Sequence, residues 1–154
     1  MSKNKIEFPK LNGKNIKVGI ALARWNTEIT NSLMEGCLTA LKEAGVPSKN
    51  FYVVPVPGSF ELPLAAQHLF KKEKDDVVIA LGCLIKGETM HFEYIADAMT
   101  NGLMRVSLDT GKPVVFGVLT CLTEKQAIAR STGKNNHGYG WGLTAVEMAL
   151  LTKK

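Results

Sequence analysis

A short apolar run followed by a helix of a different period constrains this chain more than any other feature of its sequence. Residues 77–81 are all apolar, as in a strand that is buried on both faces of a parallel sheet. The run stops at Gly82, and apolar residues then recur at steps of three and four from Phe92 to Val106, which indicates an amphipathic helix. The sequence therefore predicts a strand, a turn and a helix in succession, the repeating unit of parallel α/β sheets.

This alternation of strand and helix occurs four times along the chain. Because parallel strands need crossover helices that cover both faces of the sheet, we expect a single three-layer α/β/α domain with a four-stranded parallel sheet over residues 16–154. Buried strands are predicted at 16–23, 51–56, 77–81 and 114–120. Helices are predicted at 27–44, 60–72, 92–106, 124–130 and 143–151.

Three local features of the chain carry further predictions. Ser59 is expected to cap the second helix, and Thr123 with Gln126 fits a capping box at the start of the fourth. The glycine- and asparagine-rich segment 131–142 is predicted to be a connection. Residues 1–15 carry too little apolar surface to fold alone, so we expect an N-terminal arm that pairs with the sheet edge of a neighbouring subunit.

Composition excludes several classes of protein. The three cysteines lack CxxC spacing, so neither a disulfide framework nor a metal site is expected, and a reducing cytoplasm is the expected location. His91 and Glu93 form an HxE triplet, but no PCxxC segment completes a zinc deaminase site. No apolar run is long enough to span a membrane. The net charge of +5 is diffuse, without aromatic residues between the basic ones, so nucleic-acid binding is not expected.

Polar and aromatic residues of the kind that bind ligands cluster after the predicted strands, where open parallel sheets place their ligands. The N–H groups of a strand-to-helix turn suit an anion, and an imidazole exchanges a proton near neutral pH. The turn before His91 is therefore predicted to hold a phosphate beside a proton-transfer group. The candidates are Trp25 and Asn26 after the first strand, Ser59 and Glu61 after the second, Lys86, Glu88, Thr89 and His91 after the third, Phe116 within the fourth, and Arg130 one helix further on.

Simpler structural interpretations of these residues stay open on the sequence pattern alone. Trp25 either stacks on a flat heterocycle or covers the hydrophobic core. Glu61 either accepts hydrogen bonds from ligand hydroxyls or complements the helix dipole. Arg130 either binds phosphate through two N–H groups or forms a surface ion pair of little energy. His91 is either a proton-transfer group or an ordinary residue of a helix N-terminus.

Three long segments of the chain together resemble the 6,7-dimethyl-8-ribityllumazine synthase family. They read PGSFELP at 57–63, GCLIKGETMHFEY at 82–94 and FGVLT at 116–120, and the resemblance extends over residues 16–151. It implies a flavodoxin-like fold and a transferase of riboflavin biosynthesis. Such an enzyme joins 5-amino-6-(D-ribitylamino)uracil to 3,4-dihydroxy-2-butanone 4-phosphate, with release of water and phosphate and without a metal or redox cofactor.

The resemblance also implies roles for individual residues. Trp25 stacks on the pyrimidine, and His91 is the proton-transfer residue. Gly87, Glu88, Thr89 and Arg130 meet the phosphate, and Phe116 comes from the adjacent subunit. The remaining substrate-binding residues implied by the resemblance are Asn26, Ser59, Phe60, Glu61, Cys83, Leu84 and Ile85. Residues 83–85 act largely through their backbone.

As for partners, the resemblance implies a homopentamer with active sites shared between subunits. It does not decide whether pentamers assemble further into a closed shell. Riboflavin synthase is a candidate partner. The chain departs from many members after Arg130, where Asn135-Asn136-His137-Gly138 replaces Asn-Lys-Gly. The role of that segment stays open. The alternative functions are a flavin-binding module without catalysis, which needs neither His91 nor Arg130, and a shell or scaffold protein.

Overall fold

The computed structural model describes residues 5–154, in which β-strands and α-helices alternate along the chain. The strands are β1 (Val18–Ala23), β2 (Phe51–Val56), β3 (Val77–Ile85) and β4 (Val114–Cys121). The helices are α1 (Thr27–Glu43), α2 (Leu62–Lys72), α3 (His91–Thr110), α4 (Glu124–Ser131) and α5 (His137–Thr152). Short 3₁₀ turns occupy Ser48–Asn50, Ser59–Glu61 and Gly133–Asn135.

All four strands run parallel in the order β2-β1-β3-β4. Val18 of β1 lies beside both Phe51 and Val77, and Val78 of β3 lies beside Val114. This order is the start of the flavodoxin-like order 2-1-3-4-5. The predicted four-stranded parallel α/β fold is confirmed, and the carboxyl ends of the strands meet at one edge, referred to below as the rim.

Helices cover both faces of the sheet, so the predicted three-layer arrangement is also confirmed. Val77, Ile79 and Leu81 of β3 face α1 and α5 and join the larger buried cluster. Val78 and Ala80 point to the opposite face and pack with α2 and α3. Because β3 is buried on both faces, its sequence is a continuous apolar run and not an alternating pattern.

The prediction that the third strand ends at Gly82 was wrong, since β3 continues to Ile85, which pairs with Cys121 of β4. A Cβ atom on Gly82 would lie 2.5 Å from Ser59 Oγ and 3.4 Å from Leu62 Cδ1. The glycine therefore makes room for the β2–α2 connection to pass against the strand.

The prediction that residues 131–142 form one connection was also wrong, because α5 begins at His137 and not near Leu143. The Asn136 side chain accepts a hydrogen bond from the Gly138 N–H at 2.8 Å and caps the helix. Gly138 and Gly142 lie against the backbone of α1, where no larger side chain fits. Close helix packing thus outweighs the low helix propensity of glycine.

The two predicted N-caps had different outcomes. The capping box of α4 is confirmed, because Thr123 Oγ1 accepts from Gln126 N at 3.2 Å and Gln126 Oε1 accepts from Thr123 N at 3.3 Å. Ser59 does not cap α2, since it belongs to the preceding 3₁₀ turn and Glu61 occupies the N-cap position. In this extra turn Ser59 lies against Gly82 of β3 instead.

The N-terminal segment contains no helix or strand within residues 5–15. Gly13 N donates to Ala44 O at 2.7 Å, and Leu11 packs against the core. Residues 1–4 of the predicted arm lie outside the described part of the chain, and pairing with a neighbouring subunit stays a prediction. Of the helices between residues 5 and 154, none has the length and apolar character needed to cross a membrane.

Candidate active site

Trp25 and Glu61 meet above Gly58, where the carboxyl ends of β1 and β2 lie side by side. A Cβ atom on Gly58 would lie 2.9 Å from Trp25 Cδ1 and 3.5 Å from Glu61 Oε2, so both side chains pass directly over this glycine. Trp25 is 73% exposed and therefore does not roof the core. An indole face open to solvent beside a carboxylate can stack on a flat polar ring and bind its hydrogen-bonding edge.

Asn26 ties the end of β1 to β3. Its backbone adopts the left-handed conformation, with φ 61° and ψ 50°, and its Nδ2 donates to Cys83 O at 2.9 Å. Asparagine tolerates this conformation better than most residues do. The Cys83 thiol itself is buried, and burial raises its pKa to about 12, so the side chain belongs to the core and the backbone faces the rim.

The other residues predicted to bind the pyrimidine differ widely in exposure. Ser59 is buried beside Gly82, whereas Phe60 is exposed. Leu84 and Ile85 are half-buried on opposite faces of β3, Leu84 with the α2 and α3 cluster and Ile85 with a cluster around α1 and α4. These residues lie near the rim because they belong to the turn after β2 or to the carboxyl end of β3.

The turn between β3 and α3, Gly87–Met90, is exposed and open to an anion. Thr89 Oγ1 accepts from His91 N at 3.3 Å, and His91 opens the 20-residue helix α3. Within residues 5–154 no hydrogen bond takes up the N–H groups of Gly87, Glu88 or Thr89. A Cβ atom on Gly87 would meet no atom of the described residues within 4 Å. Free N–H groups at the positive end of a helix form an anion site.

Arg130 lies on the other side of the sheet from His91. It belongs to α4, which packs against α1 and β4, and its Nη1 donates to Gln126 O at 3.0 Å. His91 begins α3, which packs with α2 on the opposite face. Among the described residues no hydrogen bond joins the two side chains.

Phe116 lies away from the rim, because it is near the middle of the edge strand β4 beside Ala80. It is 40% exposed and lines a groove of about 440 Å³ along that edge, between α3 and α5. The apolar wall of the groove includes Leu108, Val114, Phe116, Trp141 and Met148.

Lys86, a candidate from the sequence that received no particular role, and Glu93 flank the Gly87–Met90 turn, referred to below as the anion turn. The Lys86 ammonium pairs with the Glu93 carboxylate and lies 3.4 Å from Thr89 O. A lysine at a strand end and a glutamate seven positions later, in the first turn of a helix, are the only sequence signal for this pair. Between residues 5 and 154, no group of three or more metal-ligating side chains is placed to hold a metal ion.

His137, whose role the sequence left open, begins α5 beside Arg130. Its ring meets that of Trp141 edge to face, with centroids 5.9 Å apart. Burial, together with the nearby Arg130 charge, holds the pKa of His137 below its usual value. The histidine is therefore an uncharged neighbour of the guanidinium near neutral pH.

The fold and the rim together define a class of protein, a doubly wound parallel α/β domain with a candidate small-molecule site at the carboxyl end of its sheet. An exposed aromatic face and an anion turn next to a histidine are the chemical elements of that site. An enzyme acting on a flat polar ring and an anionic partner fits this description.

Comparison with known proteins identifies the family. Residues 15–153 match the family model of 6,7-dimethyl-8-ribityllumazine synthase. The chain is 43% identical to a 6,7-dimethyl-8-ribityllumazine synthase of Pyricularia oryzae, over 90% of this chain and 88% of that protein. It is 46% identical to proteins of the same name from two strains of Prochlorococcus marinus, over 92% of this chain and 92% of each of them. The chain belongs to the 6,7-dimethyl-8-ribityllumazine synthase family, transferases that carry out a step of riboflavin biosynthesis.

Proposed function

We propose that this chain joins 5-amino-6-(D-ribitylamino)uracil to 3,4-dihydroxy-2-butanone 4-phosphate at the rim, in the cytoplasm. The observation that carries the proposal is the presence of two complementary surfaces on one edge of the sheet. The exposed indole of Trp25 suits the pyrimidine, and the open turn before His91 suits the phosphate. Family membership supports the same pair of substrates.

The pyrimidine lies against Trp25 in this proposal. Glu61, whose carboxylate is next to the indole edge, accepts hydrogen bonds from the ribityl hydroxyls. Ser59 and Phe60 continue this surface beyond β2. Asn26 holds the Cys83 carbonyl and so fixes the backbone of the 83–85 segment, with Leu84 and Ile85, against which the ring edge rests.

The butanone phosphate occupies the anion turn. The N–H groups of Gly87, Glu88 and Thr89 bind its phosphate, and the space beside Gly87 admits it. His91, in the first turn of α3, stands next to the phosphate and to the carbon atoms that react. The arrangement holds two reactants together, which supplies much of the acceleration of a condensation.

The chemistry needs proton transfers at successive steps. The pyrimidine amine attacks the ketone and water leaves, then the phosphate is eliminated, and the side chain rotates so that the second ring closes with loss of water. His91 carries protons to and from the reacting atoms. The turn N–H groups stabilise the phosphate as it departs.

A second copy of the chain completes each site in this proposal. Arg130 and Phe116 come from the neighbouring subunit, because within one chain they lie away from His91. The exposed apolar groove along β4, lined by Leu108 and Met148 among others, supports an interface at that edge. A homopentamer is the assembly that we propose, with a shell and contact with riboflavin synthase as further expectations from the family resemblance.

The test is to mix both substrates with the purified protein and to follow the absorbance of the lumazine product. His91→Ala is expected to lower kcat by less than the ~10²–10⁴-fold typical of acid–base residues, because both substrates remain bound together and water replaces part of the proton transfer. The matched control is His68→Ala, an exposed histidine of α2, which should keep wild-type kcat.

Two results would contradict the proposal. Absence of product with wild-type protein at saturating substrates rejects the reaction itself. An unchanged kcat in His91→Ala removes the histidine from the mechanism and leaves the reaction standing.

A further inference from the structure

Lys86 and Glu93 fasten the two ends of the anion turn to each other. Lys86 directly follows β3, and its N–H donates to Cys121 O at 2.9 Å, so its backbone is anchored to β4. Glu93 lies in the first turn of α3. The Lys86 ammonium bonds the Glu93 carboxylate, lies 3.4 Å from Thr89 O, and sits 5.9 Å from the centre of the Phe92 ring.

The ammonium group of Lys86 is therefore directed at the turn and at the first turn of α3. It contacts a carboxylate on the helix, a carbonyl of the turn and an aromatic face, and together these fix the path of residues 87–90. Backbone N–H groups bind a phosphate well only when they are held in place before it arrives. A lysine acting as a direct phosphate ligand would instead leave its charge free.

The Glu93 side chain is 40% exposed, but one of its two carboxylate oxygens is not. Its Oε2 is buried and has no hydrogen-bond partner among the described residues. Buried polar atoms without a hydrogen-bond partner are few in native structures. The hydrogen bond from Lys86 keeps the pKa of Glu93 below its usual value, so the carboxylate stays charged and the pair persists near neutral pH.

We propose that Lys86 and Glu93 form a clamp that positions the Gly87–Met90 turn and His91 for the phosphate-bearing substrate. Both are positioning residues, since they act on the ligand through Thr89 and the turn. This inference rests on the proposed function of the turn as the phosphate site, and it predicts which kinetic constant depends on the clamp.

The side chains of Lys86 and Glu93 are 31% and 40% exposed, so the pair should contribute little to the stability of the fold. Its loss should instead appear in catalysis, where a displacement of about 1 Å costs up to ~10²-fold. A small change in Tm together with a large change in kinetics separates positioning from a merely structural role.

The experiment compares Lys86→Met, Glu93→Gln and Lys86→Arg with wild type. The readouts are kcat, KM for each substrate, the inhibition constant of inorganic phosphate, and Tm. We expect Lys86→Met and Glu93→Gln to raise KM for the butanone phosphate and to weaken phosphate inhibition by about tenfold or more. KM for the pyrimidine should stay within about twofold. Lys86→Arg should lose much less phosphate binding than Lys86→Met, because arginine keeps the positive charge.

The matched control is Arg105→Met, which removes a more exposed ion pair, to Asp109, on the same helix. It should leave all four readouts at wild-type values. Any variant that does not assemble as wild type does is replaced by the other partner's variant, since either one opens the clamp.

Glu93→Gln distinguishes the clamp from direct binding by Lys86. A clamp predicts weaker inhibition by phosphate in this variant, whereas a direct ligand predicts stronger inhibition, because the ammonium loses its internal partner. Stronger inhibition, or wild-type constants in both Lys86→Met and Glu93→Gln, overturns the clamp. Both results are distinct from failure of the proposed function, in which the wild-type protein forms no lumazine.

Discussion

Replacing Gly87, a residue of the rim, by alanine should affect stability and substrate binding in different ways. Its φ is not in the left-handed region, and a Cβ atom there would meet no atom of residues 5–154 within 4 Å. Gly87→Ala should therefore fold as well as wild type, or gain about 0.4–1 kcal/mol from reduced freedom of the unfolded chain. If phosphate occupies the open space, KM for the butanone phosphate should nevertheless rise by about tenfold or more.

The measurement pairs chemical denaturation with steady-state kinetics of Gly87→Ala. Gly111→Ala is not a suitable control, since its φ of 69° adds backbone strain. Gly140→Ala is suitable, because Gly140 has a negative φ and equally open surroundings in α5. Unchanged KM values in Gly87→Ala would place the phosphate elsewhere.

At this scale the sequence predicted where residues lie better than what they touch. Trp25, Glu61 and His91 could be placed at one edge because each follows a strand of a parallel sheet. The contact of Asn26 with the Cys83 carbonyl depends on a left-handed backbone that no pattern in the sequence indicates. The pairing of Lys86 with Glu93 depends in the same way on the path of the turn.

Among the elements, the close packing of α1 and α5 depends on glycines in α5. A Cβ atom on Gly138 would collide with the carbonyl oxygen of Leu33 and lie 2.8 Å from the carbonyl carbon. One on Gly142 would lie 2.8 Å from Ala40 Cβ and 2.9 Å from Cys37 O. The two helices approach this closely because their facing residues are small.

Gly138→Ala should therefore lower the free energy of unfolding by about 1–3 kcal/mol, the usual cost of overpacking, even though alanine favours helices. Gly140→Ala, two residues further along α5 and free of such contacts, should be neutral or raise it by up to ~1 kcal/mol. Urea denaturation of both variants checks the contrast. Equal stabilities would mean that α5 shifts away from α1 without cost.

The same glycines explain why the sequence predicted strands more reliably than this helix. Strand prediction relied on continuous apolar runs, which burial on both faces produces directly. The first turns of α5 instead carry glycines that favour a loop by local propensity, and only their contact with α1 makes them helical. The predicted strand end at Gly82 was wrong for a similar reason, because Ser59, which packs against this glycine, is distant in sequence.

Across the whole molecule, the end of the sheet opposite the rim contains a buried acid. Asp75 is 2% exposed, accepts a hydrogen bond from Tyr52 OH, and is approached by Lys112, whose Nζ donates to Asp75 O at 3.1 Å. Burial raises the pKa of Asp75 above its usual 3.8, and the Tyr52 hydrogen bond and the Lys112 charge only partly oppose the shift, while Glu73 and Asp76 add to it.

A raised folded-state pKa means that the folded protein favours the protonated acid. The stabilising contribution is fully present below the unfolded value of 3.8 and is lost as pH rises through the folded value. Asp75→Asn keeps an acceptor for Tyr52 without the charge. It should match wild type near pH ~4 and be the more stable of the two near pH ~8, as measured by denaturation at both values. A constant difference between the proteins at both pH values would contradict this linkage.

The position of Arg130 concerns the assembly, because one chain places it on the face of the sheet opposite to the helix of His91. A site that takes His91 from one subunit and Arg130 from its neighbour can be rebuilt from two chains that are each impaired. Co-expressed His91→Ala and Arg130→Ala subunits, mixed at random in a closed ring, should regain about one quarter of wild-type activity, since that fraction of interfaces joins two intact residues. If both residues served the same chain's site, every site would lack one of them and no activity would return. Each variant expressed alone provides the baseline, and the mixed rings are separated by different affinity tags before the lumazine assay.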